Sequence, residues 1–357
     1  MTEPLKIGLI GAGGASSRHL PAFIQFPGRV RLTAICDYIR SHAESIAEET
    51  GCRELYCDAE MMLRRADIDA VDICINTAEH YTIAMSAIDA GKHVLVEKPM
   101  ATNLEDCQRM IAAAEKKGVV LMAGQCRQFM PMYRATKKAI ARGDIGCVRA
   151  VRFDTMLDIP SFAPYGHWML NGAQAGGGVV ISQCIHGIDL MRYFIGDVVR
   201  VTAICRNTSS LFLRGAENFA CAILEFENGA IGEMFGTFSG FRMPWGEQFM
   251  IFGDEGTIHA VPPKGEYEGE VMIATRKSAA PFTEWTDQFR GFVPLAVESN
   301  GLPSDDAYVC EILHFVDCCK RGIEPQTSGR HNINTMKTVF AIYESSRTGA
   351  SVELSTL

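Results

Sequence analysis

A glycine-rich turn near the start of the chain is the first feature whose residues could bind a ligand. Gly11-Ala12-Gly13-Gly14-Ala15-Ser16 follows an apolar run, and its first two glycines match those of a dinucleotide-binding turn, with Ser16 in the third position. Glycine permits a sharp strand-to-helix turn and lets a pyrophosphate approach backbone amides at a helix N-terminus. The turn predicts a bound nucleotide, although an ordinary glycine-rich turn has the same composition.

A carboxylate follows at the position that would read the cofactor's ribose. Asp37 ends the next β-rich run. There it can accept hydrogen bonds from both adenosine ribose hydroxyls, and it would repel a 2′-phosphate. This favours NAD over NADP, while Arg40 offers a phosphate partner instead. The alternative for Asp37 is a helix-capping or loop acid.

Short β-rich runs alternate with helical stretches over the first part of the chain. The predicted strands are Lys6–Ile10, Val30–Cys36, Ala70–Ile75, His93–Val96 and Val119–Ala123. This alternation is typical of a doubly wound parallel sheet covered by helices on both faces.

Capping patterns predict where the intervening helices begin and end. Ser41 precedes Glu44, and Thr102 precedes Glu105, by the three residues of a capping box. Gly51 and Gly118 then close these helices. A third helical stretch runs from residue 78 to residue 90 and stops at Gly91.

The second half of the chain has a different pattern. Phe219–Phe226 and Ile231–Phe238 flank Asn228-Gly229, a strong hairpin signal, and Asp254-Glu255-Gly256 separates two further strands. Strands joined by short turns predict a mainly antiparallel sheet in an α+β domain. No element is predicted between residues 262 and 306, and helices are expected near residues 306–321 and 331–348.

Composition limits the possible partners. The chain has 357 residues and a formal charge of −8, which argues against a general surface for nucleic acid. Its 13 cysteines lack CxxC spacing, so reduced thiols in a cytoplasm are expected, and no cluster has zinc spacing. Neither a basic leader in Met1-Thr2-Glu3-Pro4 nor an apolar run of about 18 residues is present, so neither export nor membrane spanning is expected.

An ordered set of motifs resembles the Gfo/Idh/MocA family, the glucose–fructose oxidoreductase and inositol dehydrogenase group. Besides the glycine turn, the motifs are Thr77-Ala78-Glu79-His80, Gly91-Lys92-His93, Glu97-Lys98-Pro99, Gly176–Asp189 and Ala341-Ile342-Tyr343-Glu344-Ser345. The resemblance implies a Rossmann domain, here residues 1–125, and an α+β domain with an open sheet, residues 126–357. It also implies nicotinamide-dependent chemistry on sugars or polyols, and a homodimer or homotetramer.

The resemblance also implies roles for individual residues. Lys98 would lie beside nicotinamide and substrate, and His186 would be the acid–base. Thr77, His80 and Glu97 would line the cofactor, and Arg127 would face the pocket.

Three departures from the family pattern affect these roles. Ser182 stands where relatives commonly carry aspartate, four residues before His186. Ala78 and Glu79 replace a usual Pro-Asn pair, and Cys126 often corresponds to asparagine. The family's Lys-Asp-His triad therefore cannot be transferred intact.

The chemistry of alcohol oxidation suits the residues that remain. A histidine near its ordinary pKa of about 6.5 can take the hydroxyl proton. A lysine at the carboxyl edge of the sheet can stabilise the developing alkoxide. His186 could instead be a core histidine of an amphipathic helix, and Asp189 either orients it or caps local backbone.

Further candidates for substrate contact precede and follow the triple glycine. They are Tyr165, His167, Trp168, Gln174, Ser182, Gln183 and Asp189. Rings combined with hydrogen-bonding groups suit a hydroxylated ligand. His167 is a rival acid–base, and Trp168 could serve packing alone.

The leading hypothesis is an NAD-dependent sugar or polyol dehydrogenase with no metal requirement. One alternative is a redox-neutral conversion in which tightly bound NAD is reduced and reoxidised in each cycle. Another is a cofactor-binding sensor or scaffold without turnover, which Ser182 motivates.

Overall fold

The computed structural model describes residues 3–64, 67–242, 246–260, 270–277, 291–297 and 303–357. The described residues divide into two compact units, within the ranges Met1–Phe129 with Leu302–Met336, and Met130–Gly301 with Lys337–Leu357. Among the described helices, none combines the length and apolar character needed to cross a bilayer.

The first unit is a parallel sheet with helices in the connections. Its strands are β1 (Leu5–Ile10), β2 (Val30–Cys36), β3 (Leu55–Tyr56), β4 (Ala70–Ile73), β5 (His93–Glu97) and β6 (Leu121–Gly124). Its connecting helices are α1 (Leu20–Gln25), α2 (Arg40–Thr50), α3 (Ala59–Leu63), α4 (Thr77–Asp89) and α5 (Leu104–Lys117). The strand order β3-β2-β1-β4-β5-β6 is that of a Rossmann fold, whose ligands bind at the carboxyl ends of the strands.

The second unit is built on a nine-stranded open sheet. Its first elements are α6 (Pro131–Ala141), β7 (Val148–Met156), α7 (Gly172–Ala175), α8 (Ile185–Ile195), β8 (Val198–Arg206), β9 (Phe219–Phe226) and β10 (Ile231–Thr237). The later strands are β11 (Gly246–Gly253), β12 (Gly256–Ala260), β13 (Val271–Thr275), β14 (Val293–Pro294) and β15 (Val352–Glu353). Of the two late helices, α9 (Ala307–Arg321) lies in the range of the first unit, and α10 (Gly329–Thr348) runs from that range into the range of the second. The sheet order is β14-β13-β12-β11-β7-β10-β9-β8-β15, and the β7–β10 pair is parallel while the other pairs are antiparallel.

The helix α9 belongs to the first unit although it lies late in the sequence. It packs on α1 and on the 3₁₀ turn Cys126–Phe129, with Phe315 and Val316 fully buried. The sheet of the second unit is covered by α8, where Gly187 lies so close to Phe153 that an added Cβ would collide with the ring. Phe153 in turn stacks on Phe249.

Most predicted elements are confirmed, including the hairpin, in which Gly229 has a φ of +81° and Asn228 accepts the Ala230 N–H. Gly51 and Gly118 end α2 and α5 in the left-handed conformation, as predicted. The short β3 was not predicted, since two residues carry no periodicity.

Several predicted details are wrong. The cap of α2 is Ile39 rather than Ser41, because the helix already includes Arg40. The cap of α5 is Asn103, which accepts the Asp106 N–H and so replaces Thr102 in that role. No element was predicted between residues 262 and 306, a stretch interpreted as a loop, an oligomer contact or part of a substrate rim. Its described residues, 270–277, 291–297 and 303–306, include β13 and β14, and its other residues lie outside those described.

Candidate functional site

The glycine turn closes β1 with a geometry that requires glycine at its first position. Gly11 has a φ of +94°, and a Cβ there would collide with the Cys74 carbonyl oxygen. Gly13 and Gly14 would meet nothing within 4 Å, so their backbone faces open space. Ser16 donates its hydroxyl hydrogen to the Gly13 oxygen at 2.7 Å, which ties the turn together where a third glycine was expected.

The helix predicted directly after this turn begins later than expected. A 3₁₀ turn, Ser16–Arg18, comes first, and α1 starts only at Leu20. The backbone beside the open space therefore belongs to the loop and the 3₁₀ turn. Glycine-rich loops of this kind can still present amides to an anion.

Asp37 is anchored beside the turn. Its Oδ2 accepts the Ala12 N–H at 2.8 Å, and its Oδ1 accepts the Ile39 N–H at 2.8 Å. Arg40 pairs instead with Glu44, Nε to Oε1 2.9 Å, on the exposed face of α2. The position that would read the ribose therefore carries a fixed carboxylate.

Thr77 and His80 lie in the first turns of α4 and are both buried. The His80 ring nitrogens lie 2.8 Å from the Pro99 carbonyl oxygen and 3.1 Å from the Ile75 carbonyl oxygen. Burial lowers the pKa of His80. The ring lies between the backbone directly after Lys98 and the backbone just before α4, and in its neutral form it donates to one of these two carbonyl oxygens at a time.

Glu97 is the last residue of β5, and Lys98 follows it at the carboxyl edge of the sheet. The Lys98 N–H donates to Glu97 Oε2 at 3.0 Å. Burial by itself raises the pKa of Glu97, but the nearby His19 ring and the Lys98 charge leave that pKa below its usual value. Glu97 is therefore a carboxylate beside the Lys98 backbone.

Two buried groups of this region were missed by the sequence analysis. His19 and Asp72 are fully buried, and His19 Nδ1 lies 2.7 Å from Asp72 Oδ2. The other ring nitrogen, Nε2, lies 3.3 Å from Glu97 Oε1. An aspartate inside the otherwise apolar run Ala70–Ile73 was the available signal, since an aspartate is rarely buried without a partner.

Cys74 joins this cluster, so that three potential metal ligands lie within 4.8 Å of one another in the described part of the chain. Two ligands on one tetrahedral zinc would be about 3.3 Å apart, given bonds of about 2 Å. The 2.7 Å between His19 and Asp72 is a hydrogen-bond distance instead. Burial also raises the pKa of the Cys74 thiol, which keeps it protonated.

Arg127 lies in the 3₁₀ turn after β6 and is 3% exposed. Its neighbour Gln128 accepts a hydrogen bond from Gln326 at 2.7 Å, which ties the turn to the segment between α9 and α10. Burial raises the pKa of Cys126, at the position where relatives often have asparagine, to about 12. Position 126 therefore presents a neutral thiol.

In the second unit, four of the predicted residues share one buried helical segment. The segment starts with a π-helical turn, Val180–Cys184, and continues as α8. Ser182, Gln183, His186 and Asp189 lie on it and are at most 8% exposed. Single π-helical turns occur frequently at functional sites.

An unpredicted carboxylate holds the start of this segment. Glu217 accepts the Gly178 N–H at 2.7 Å and the Val180 N–H at 2.8 Å, and Tyr343 donates its hydroxyl hydrogen to Glu217 at 3.0 Å. The Tyr343 oxygen accepts the Ile181 N–H at 3.2 Å. Only glycine fits at position 178, because a Cβ would collide with the Glu217 backbone.

The aromatic candidates before the triple glycine are more exposed. Tyr165 is 72% exposed, His167 and Trp168 are half-buried, and Gln174 is exposed. His167 Nδ1 accepts the Met169 N–H at 3.3 Å and so caps the short 3₁₀ helix Trp168–Leu170. Burial lowers the pKa of His167.

Several known proteins are similar to this chain in sequence and in fold. Residues 5–125 match the GFO_IDH_MocA family, described as "Oxidoreductase family, NAD-binding Rossmann fold", and residues 137–354 match its "C-terminal alpha/beta domain". D-apiose dehydrogenase of Paraburkholderia graminis is 30% identical, with 99% of this chain and 90% of that protein covered. Myo-inositol 2-dehydrogenase of Thermotoga maritima is 25% identical, with 98% of each covered. Among solved structures, levoglucosan dehydrogenase in complex with NADH shares the fold, with a TM-score of 0.85, 23% identity and 99% of each chain covered.

Proposed function

The chain belongs to the GFO/IDH/MocA oxidoreductase family, and we propose that it oxidises a hydroxyl-bearing carbon of a sugar, glycoside or cyclic polyol with NAD as hydride acceptor. The observation that carries this proposal is the full-length similarity to dehydrogenases named for D-apiose and myo-inositol. Both names denote small polyhydroxylated substrates.

The residues of the first unit fit a dinucleotide. The open space at Gly13 and Gly14 leaves room for a pyrophosphate against backbone, and Ala12 and Ser16 shape the same turn. Thr77, His80, Glu97 and Lys98 follow strands β4 and β5 at the carboxyl edge, the ligand edge of such sheets. Bound there, NAD supplies the hydride acceptor.

We assign NAD rather than NADP because of Asp37 and Arg40. The Asp37 carboxylate is fixed by two amides and would repel a 2′-phosphate, while Glu44 engages the guanidinium that could have bound one.

In the proposed mechanism, Lys98 and His186 act on the same hydroxyl group. The Lys98 ammonium holds the oxygen and stabilises negative charge as it develops. The neutral His186 imidazole takes the hydroxyl proton, which requires no metal. Arg127, Tyr165, His167, Ser182, Gln183 and Asp189 are the proposed substrate contacts.

We further propose that the protein is a homo-oligomer. Alternate residues of β8, β9, β10 and β11 place Ile204, Ile223, Ile231 and Phe252 on the outer face of the open sheet, each 41–57% exposed. Charged side chains such as Arg152, Glu225 and Glu233 lie between them on the same face. Exposed apolar side chains interspersed with ion-pairing groups on an open sheet favour a protein–protein contact. A monomeric mass in solution would contradict this proposal.

The test of the proposed function begins with measuring nucleotide already bound to the purified protein. NADH formation is then followed with a panel of aldopentoses, cyclic polyols and glycosides, with NADP in parallel. We expect turnover with NAD on at least one panel member. Stoichiometric bound NAD without net NADH formation would favour the redox-neutral alternative, and absence of both would contradict the proposal.

A further inference from the structure

The buried ring of His19 lies between two carboxylates of neighbouring strands. On one side, Nδ1 is 2.7 Å from Asp72 of β4, and on the other, Nε2 is 3.3 Å from Glu97 of β5. A neutral imidazole carries one N–H and can donate to only one of these oxygens. With both carboxylates ionised, attraction on both sides requires the doubly protonated ring.

The charges of the surrounding groups favour that form. The ionisable groups facing the His19 ring or the Glu97 carboxylate from the surrounding elements are Asp72, Cys74, His80, Lys98, Cys126 and Tyr308. Burial lowers the pKa of His80 and raises those of both thiols, so these three groups are neutral. An imidazolium at position 19 then leaves Asp72, His19, Glu97 and Lys98 electrically balanced. Burial would lower the pKa of His19, but the charge of Asp72 raises it well above its ordinary value.

We propose that His19, as an imidazolium bridging Asp72 and Glu97, is a positioning residue that keeps Glu97 ionised and fixes the backbone from which Lys98 projects. This inference rests on the proposed function, because it assigns His19 a role through Lys98. In this proposal, the Asp72–His19–Glu97 array holds the backbone of Lys98 in place for the reaction.

The connection from Glu97 to Lys98 is direct. Glu97 Oε1 lies near the His19 ring, and Glu97 Oε2 accepts the Lys98 N–H at 3.0 Å. One carboxylate therefore connects the His19 ring to the Lys98 backbone. Without the imidazolium, Glu97 would keep its burial but lose its nearest cation. It would then take up a proton at a higher pH and hold the Lys98 backbone less firmly.

The first experiment reads the protonation of His19 without turnover. The chain has nine histidines, and the ring resonance absent from His19→Gln identifies His19 in spectra of ¹³C-histidine-labelled protein. We expect the wild-type signal to stay in the imidazolium position through pH 8. In Asp72→Asn, which keeps the shape but removes one charge, it should titrate at lower pH. A wild-type ring that titrates near its ordinary value of about 6.5 would overturn the proposal.

The second experiment reads positioning through the pH profile of kcat. In His19→Gln we expect kcat to fall about tenfold to a hundredfold and the acid limb to move upward and steepen, because Glu97 protonates at higher pH and adds a second ionisation to that of His186. The double variant His19→Gln/Glu97→Gln should have the same limb as Glu97→Gln alone. A limb that moves equally with and without Glu97 would show that His19 does not act through it.

His93→Gln is the matched control. His93 lies at the opposite end of β5 from Glu97, where its ring accepts the Val120 N–H at 2.9 Å, so the same His-to-Gln change is made on the strand that carries Glu97. Its acid limb should match the wild type. Absence of wild-type turnover would contradict the proposed function, while the His19 titration separately tests the ion array.

Discussion

Two carboxylates that are largely removed from solvent, Glu97 in the first unit and Glu217 in the second, are compensated in different ways. Glu97 faces charged side chains, the His19 ring and the Lys98 ammonium. Glu217 faces backbone N–H groups at a helix start and one phenol. Compensation by side-chain charges varies with pH, whereas compensation by backbone dipoles does not.

The two arrangements also differ in what they position. The array around Glu97 fixes one strand end, from which Lys98 projects. The contacts of Glu217 set the first turn of a helical segment that carries Ser182, His186 and Asp189. Loss of either arrangement should lower stability, because each leaves a buried group without its partner, and loss of the first should in addition change the pH profile of catalysis.

The largest expected effect is that of Lys98→Ala, which removes the cation at the end of the first arrangement. We expect kcat to fall by about a thousandfold or more, because the developing alkoxide loses its partner. NAD affinity should stay within about tenfold, as measured by equilibrium titration. Turnover at the wild-type rate would refute the role of Lys98.

Glu217→Gln tests the arrangement in the second unit. The amide keeps one acceptor oxygen but leaves a buried N–H of the helix start without its carboxylate. We expect a loss of about 1–3 kcal/mol in the free energy of unfolding, measured by denaturant titration. If backbone compensation is independent of pH, the acid limb of kcat should not move. A displaced limb would mean that Glu217 acts electrostatically on His186.

Asp37→Ala tests the choice between NAD and NADP. Asp37 belongs to neither the Glu97 nor the Glu217 arrangement. Without the carboxylate, the preference for NAD over NADP should drop about tenfold, measured as the ratio of kcat/KM values. Asp37→Asn, which keeps the acceptor for the Ala12 amide, separates loss of charge from loss of the loop contact. An unaltered ratio in both variants would exclude Asp37 from cofactor choice.

The raised pKa of His19 predicts a pH-dependent stability. A histidine whose pKa is higher in the folded protein stabilises it fully below the unfolded value of about 6.5, and this contribution disappears as pH rises through the folded value. The Tm should therefore decrease toward alkaline pH, and less steeply in His19→Gln than in His93→Gln. Equal slopes in thermal melts would contradict a charged His19.

The smallest effect is expected from Ser182→Asp, which restores the residue that relatives commonly carry. A carboxylate near His186 would raise the pKa of its ring, so the acid limb should move upward by about half a pH unit. An unmoved limb would show that position 182 does not couple to His186.

Local patterns predicted the elements that hold the site. Val30–Cys36 has the predicted limits, and the hairpin across Asn228-Gly229 follows from turn chemistry that needs no tertiary context. The helix caps predicted at Ser41 and Thr102 were wrong because a nearby residue can occupy the N-cap position instead, as Ile39 and Asn103 do. Only the folded backbone decides between them.

The amino-acid sequence by itself determined the doubly wound parallel sheet, the glycine turn with Asp37, and the strand end that carries Lys98, because these depend on periodicity and short spacing. Tertiary structure alone brought His19 to Asp72 and Glu97, and Glu217 to Gly178 and Tyr343. These partners are far apart in the chain, and a buried charge is stable only when folding supplies its counter-charge or its hydrogen-bond donors.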